Sequence, residues 1–102
     1  MLTIGPSIQN HQAIGALAEL FKVIAHPDRI RIIKKLREDE TDVNSLAETL
    51  SLPGPRTSQH LRLLRAYKLV EERRRGRHHI YRLTQPHLAQ WIDDGLNVMD
   101  MS

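Results

Sequence analysis

A chain of 102 residues closes one hydrophobic core, and 40 % apolar with 26 % charged residues is the make-up of an ordinary globular domain. It contains no cysteine, which excludes disulfides, thiolate metal sites and cysteine nucleophiles. The net charge is +3, no basic leader precedes an apolar run, and no stretch of about eighteen apolar residues occurs, so a soluble, cytoplasmic protein with no membrane partner is expected.

From Gln12 to Ala25, apolar residues at Ile14, Leu17, Ala18, Leu20, Phe21 and Ile24 recur every three or four positions and predict a first helix with one apolar face. His26-Pro27-Asp28 breaks it, because proline disfavours helix at the residue before it and suits the first turn of the next. Ile30, Ile32, Ile33 and Leu36 carry a second helix, which ends in the acidic and solvated run Glu38 to Asp42. Asp42 or Thr41 caps a third helix of about two turns, with Val43, Leu46, Ala47 and Leu50 inward. Ser51-Leu52-Pro53-Gly54 is a turn, and Pro55 opens a fourth helix that runs to about Tyr67. Two short helices joined by a tight turn form a helix-turn-helix.

After Leu69 the period shifts toward two, in LVEERRR and again in HHIYRL, with Gly76 between them. That pattern predicts a hairpin with a basic tip. Thr84-Gln85-Pro86 then starts a last helix, lined on one side by Leu88, Trp91, Ile92, Leu96 and Met99. The expected fold is mainly α with a β-hairpin: a winged helix-turn-helix ordered helix, helix, helix, helix, strand, strand, helix. It forms a single domain over 1–102, with an N-terminal arm at 1–11, the helix-turn-helix at 43–67, the wing at 69–83 and a dimerisation helix at 86–100. A core of this size does not need all the apolar residues of the first and last helices. Ile14, Leu17, Phe21, Leu88, Trp91, Ile92, Leu96 and Met99 are therefore read as a homodimer interface.

Charge is unevenly placed. Residues 52–82 carry nine basic groups against Glu71 and Glu72, a local charge of +7, while residues 1–51 sum to −1 and the last twenty to −3. A concentrated basic segment inside a folded domain points to a polyanionic partner, here double-stranded DNA. On the fourth helix, Ser58, Gln59 and Arg62 fall opposite the apolar side, Arg56 lies at the N-terminal flank, and Thr57 is read as half-buried. Short polar groups followed by cations suit a major groove, where Gln59 pairs with adenine and Arg56 or Arg62 with guanine. With the wing residues Arg73, Arg74, Arg75, Arg77 and His78, these complete the candidate DNA-binding set. A different class of reading makes the basic hairpin the grip of a protein-interaction module on an acidic partner. No phosphate-binding glycine loop, nucleophile motif or H-E-x-x-H occurs, so an enzyme is not expected.

The stretch VNSLAETLSLPGPRTSQHLRLLRAYKLVEERRRGRHHIYRL, with AHPDRIRIIKKL before it, resembles the ArsR/SmtB family of dimeric winged-helix repressors, from about Leu17 to Met99. The resemblance implies an operator-binding homodimer paired through its first and last helices; many members release DNA when a metal or another signal binds. Two departures stand out: Ser51 where the family usually has glycine, and Pro53-Gly54-Pro55 where it usually has serine and glutamine. Operator preference is expected to differ accordingly.

The family's thiolate site falls on TDVNSLA, which has no cysteine, and its last-helix site falls on Gln85, His87, Val98 and Met101, of which His87 alone suits zinc. His78 and His79 are adjacent in a strand, so their rings point to opposite faces. His26 and His60 are assigned to helix-boundary packing or hydrogen bonding. No metal or cofactor is expected from these patterns; an effector, small molecule or metal, stays open, as does a site built across the dimer from His11, His87 and Asp93 or Asp94.

Overall fold

The computed structural model describes residues 7–100 and places eight elements in chain order. They are α1 (Ser7–Ile24), α2 (Pro27–Glu38), β1 (Thr41–Asp42), α3 (Val43–Leu50), α4 (Gly54–Ala66), β2 (Val70–Arg75), β3 (His78–Leu83) and α5 (Pro86–Asp100). Helix α1 therefore starts inside the stretch 1–11 that the sequence assigns to an arm, and residues 1–6 lie outside the described ones. Strand β1 is an addition. Its two residues pair with β3 (Thr41 with Tyr81, Asp42 with Ile80), which gives a three-stranded antiparallel sheet in the order β1-β3-β2.

Local chemistry sets the element ends. His26 caps α2, its Nδ1 accepting from the Asp28 amide at 3.1 Å, and Pro27 follows in the first turn, where its missing N–H costs nothing. The Asp42 carboxylate accepts from the Ser45 amide at 2.7 Å and caps α3, and this bond holds its pKa below the ordinary carboxylate value. At the far end of α3, Ser51 takes the left-handed conformation at φ 56°, and the Leu52 amide reaches back to the Ala47 carbonyl at 2.9 Å. This is the turn in which glycine is at ease and an L-residue is strained by roughly 1–2 kcal/mol. The unusual Ser51 thus keeps the turn at a local cost. Lys68, at φ 61°, ends α4 in the same way, with the Leu69 amide bonded to Leu64 O at 2.9 Å.

The core lies where α2, α3, α4 and the base of the wing meet. Ile32, Ile33, Leu46, Leu61, Leu64 and Val70 are its most enclosed side chains, and the ends of α1 and α5 close it with Val23, Ile24, Leu88 and Ala89. Polar ties fix the helices against one another: Arg29 Nε donates to Val23 O at 2.5 Å, and Arg31 Nη2 to Leu50 O at 2.5 Å. On α5, Leu88 is 3 % exposed and faces this core, so its sequence assignment to a dimer interface is corrected. Ile92 also packs against the core, half-buried. Outside lie Ile14, Leu17, Phe21, Trp91, Leu96 and Met99, with the Phe21 and Trp91 rings in edge contact at 6.4 Å.

Candidate nucleic-acid interface

Helix α4 divides as its periodicity predicts. Thr57, His60, Leu61 and Leu64 are buried, whereas Arg56, Gln59 and Arg62 are exposed and Ser58 is half-buried. Thr57 is corrected. It is 0 % exposed, and its hydroxyl donates to Pro53 O at 3.0 Å, the same carbonyl that accepts from the Thr57 amide. A buried side chain bonded back into its own helix start has nothing left to offer a base. Its role is to close the first turn, since Pro53 provides no side-chain cap.

The wing runs from Val70 to Leu83, in a register that sets Val70 opposite Leu83 and Arg75 opposite His78, with Gly76 turning the tip at φ 63°. Its base is buried and its tip is exposed. Glu72 is the strut that fixes the wing against α4. It accepts from Arg65 Nη1 at 2.9 Å and from the Tyr81 hydroxyl at 3.0 Å, and lies 3.0 Å from His79 Nδ1. Burial, reinforced by the Glu72 carboxylate, pushes the Tyr81 phenol pKa up. Sequence reasoning passed over Glu72 as one of two acids diluting a basic run.

Carboxylates sort the basic groups into two sets. Arg65 pairs with Glu72 at 2.9 Å, Arg82 and Arg73 with Glu71 at 3.0 and 3.6 Å, and Arg75 reaches Glu40, beside β1, at 2.9 Å. Among the described residues, Arg56, Arg62, Lys68, Arg74 and Arg77 have no carboxylate partner. Their charge faces solvent unopposed, the state in which a cation takes up a phosphate without first breaking an ion pair. Surface pairs such as Arg73 with Glu71 are worth about 0–1 kcal/mol and do not bar Arg73 or Arg75 from the same role. His78 is exposed at the tip beside them.

The profile of the bacterial regulatory protein, arsR family, matches residues 26–72, from the cap of α2 into the wing. The HTH-type transcriptional repressor SmtB of Mycobacterium tuberculosis is 37 % identical over 91 residues, covering 89 % of this chain and 67 % of that protein. The chain belongs to the ArsR family. Among solved structures, the transcriptional repressor BigR from Xylella fastidiosa aligns with TM-score 0.80 at 29 % identity, over 92 % of this chain and 96 % of that one. The homodimeric winged helix-turn-helix DNA-binding domain Mb0332 from Mycobacterium bovis aligns with TM-score 0.79 at 26 % identity, over 96 % and 91 %. Membership makes the chain a DNA-binding transcriptional regulator and not an enzyme. The interaction-module reading loses support, because Ser58, Gln59 and Arg62 are polar and the exposed face of α4 has no aliphatic anchor beside them.

Among the described residues, the metal positions that the resemblance assigns to the last helix, Gln85, His87 and Val98, join no cluster of metal-ligating side chains. His87 is exposed, Met101 lies outside the described residues, and Asp93 is engaged by Lys34 at 3.3 Å and by Arg37. Asp94 accepts from Gln90 Nε2 at 2.9 Å. Among the described residues no helix is long and apolar enough to cross a membrane.

Proposed function

We propose that the protein is a homodimeric repressor that reads an inverted-repeat operator in the cytoplasm, with α4 of each copy in successive major grooves and each wing on the flanking backbone. The observation that carries this reading is the set of exposed cations without a carboxylate partner among the described residues, Arg56 and Arg62 beside the exposed Gln59 on α4 and Arg74 and Arg77 at the wing tip. Phosphate contacts from the arginines set register, and Gln59 with Arg56 or Arg62 selects bases. The relatives named as repressors, SmtB and BigR, support repression over activation.

The partner copy covers Ile14, Leu17 and Phe21 of α1 and Trp91 and Leu96 of α5, with Met99 further along that helix. Phe21 is 52 % and Trp91 48 % exposed, and their edge contact joins the two helices into one apolar surface. Such a surface on an isolated domain marks an interface, and the homodimeric Mb0332 domain supports a second copy as its occupant. Two such α4 helices stand about 34–36 Å apart, one turn of B-DNA, when a dimer engages both half-sites. The test is competition: a labelled inverted repeat from the protein's own promoter should be displaced by the same duplex at far lower concentration than by random DNA. Equal displacement by both overturns the reading.

A further inference from the structure

Two imidazoles and a carboxylate converge where the start of α2 meets α4. A ring nitrogen of His26, a carboxylate oxygen of Asp28 and a ring nitrogen of His60 all lie within 4.8 Å of one another. The two rings stand 4.6 Å apart at 59°. His60 is 8 % exposed, and its Nε2 is enclosed without a hydrogen bond: Asp28 Oδ2 lies 3.4 Å away, close enough for charge attraction but poorly directed. An enclosed polar atom left without a partner calls for an explanation. Helix packing accounts for His26, which caps α2, but not for that bare nitrogen.

We propose that His26, Asp28 and His60 form a binding site for a divalent transition ion of the zinc class, with water completing the shell. Two imidazoles and one carboxylate are donors that zinc, cobalt and nickel accept. Bond lengths of about 2.0–2.1 Å set tetrahedral ligand atoms about 3.3–3.4 Å apart, so closing on an ion needs side-chain shifts on the order of 1 Å. Burial, with His26 and Arg29 adding to it and Asp28 opposing it, lowers the pKa of His60. Two cations oppose the ion: Arg29 Nη1 lies 3.5 Å from His60 Nδ1, and Arg31 Nη1 3.9 Å from Asp28 Oδ1. They moderate the affinity. An ion here ties the N-terminus of α2 to the helix that carries Gln59 and Arg62, a path by which a metal signal reaches the DNA-contacting face. That consequence rests on the DNA-binding reading; ion binding itself does not.

The test therefore uses the full chain without DNA. Protein stripped with chelator is titrated with cobalt, followed by visible d–d absorption, and with zinc, followed calorimetrically. One ion per chain is expected, with Asp28→Asn and His60→Gln each weakening binding by at least about tenfold, and His79→Gln and His87→Gln leaving it unchanged. In the wild-type protein, which needs no substitution to fold, zinc should move the imidazole NMR signals of His26 and His60 and spare those of His78 and His79. Undiminished affinity in both Asp28→Asn and His60→Gln, no bound ion, or unmoved His26 and His60 signals overturns the proposal and leaves the DNA-binding assignment standing.

Discussion

Replacing Arg74 and Arg77 together by alanine separates the wing's electrostatic role from base reading. Both sit at the tip on either side of Gly76, and neither meets a carboxylate; the one bond there, Arg74 Nε to Gly76 O at 3.3 Å, is weak. A dimer presents four such arginines. Each phosphate contact contributes about 0.9 to the slope of log affinity against log salt, so the double variant should flatten that slope by about 3.6. Between about 50 and 200 mM salt, the fall in affinity then shrinks by about 2.2 decades, roughly 150-fold. Fluorescence anisotropy across that salt range, on the operator and on random duplex, measures the slope directly. The same flattening is expected on both sequences, because phosphates carry no sequence information. An unchanged slope, or a loss confined to the operator, refutes the wing as a backbone clamp.

The remaining predictions address the helices. Leu88→Ala should cost about 2–5 kcal/mol of fold stability by opening a core cavity, read by chemical denaturation, whereas Trp91→Glu should yield folded monomers in sedimentation and leave the core intact. Gln59→Ala should relax preference at one base position of each half-site by about 1–3 kcal/mol, measured on a panel of single-substituted operators, with the salt slope retained. Asp42→Ala should cost about 0.5–2 kcal/mol through the lost cap. Because the Asp42 pKa is depressed on folding, its contribution is present above the ordinary carboxylate pKa of about 3.9 and fades as pH falls through the lower folded value. The alanine variant should therefore show a shallower acid limb in a stability-versus-pH series.

The helix-turn-helix and wing were legible because their signals are local. Pro27, Pro53, Gly54, Pro55 and Gly76 punctuate the chain, and the apolar period changes from about 3.6 to 2 after Leu69. Strand β1 was not, since Thr41 and Asp42 become a strand only by pairing with Tyr81 and Ile80, forty residues along. The side of α5 that meets its own core depends on where α2 lies. Leu88 and Trp91 sit about 60° apart around the helix, so one broad apolar stripe in sequence splits into an inward and an outward part. Thr57 failed for the same reason at smaller scale: its hydroxyl finds Pro53 O only once the turn exists. The cluster of His26, Asp28 and His60 joins residues more than thirty positions apart, and spacing alone gave no hint of it.

The central claim is that two copies present α4 to successive major grooves of one duplex. Inserting five base pairs between the operator half-sites rotates them by about half of the 10–10.5 base-pair turn and sets them on opposite faces of the DNA. Affinity should then fall to the level of random duplex and recover when ten base pairs restore the facing only if the protein spans the longer gap. Full affinity for the five-base-pair insertion would contradict the paired-groove account.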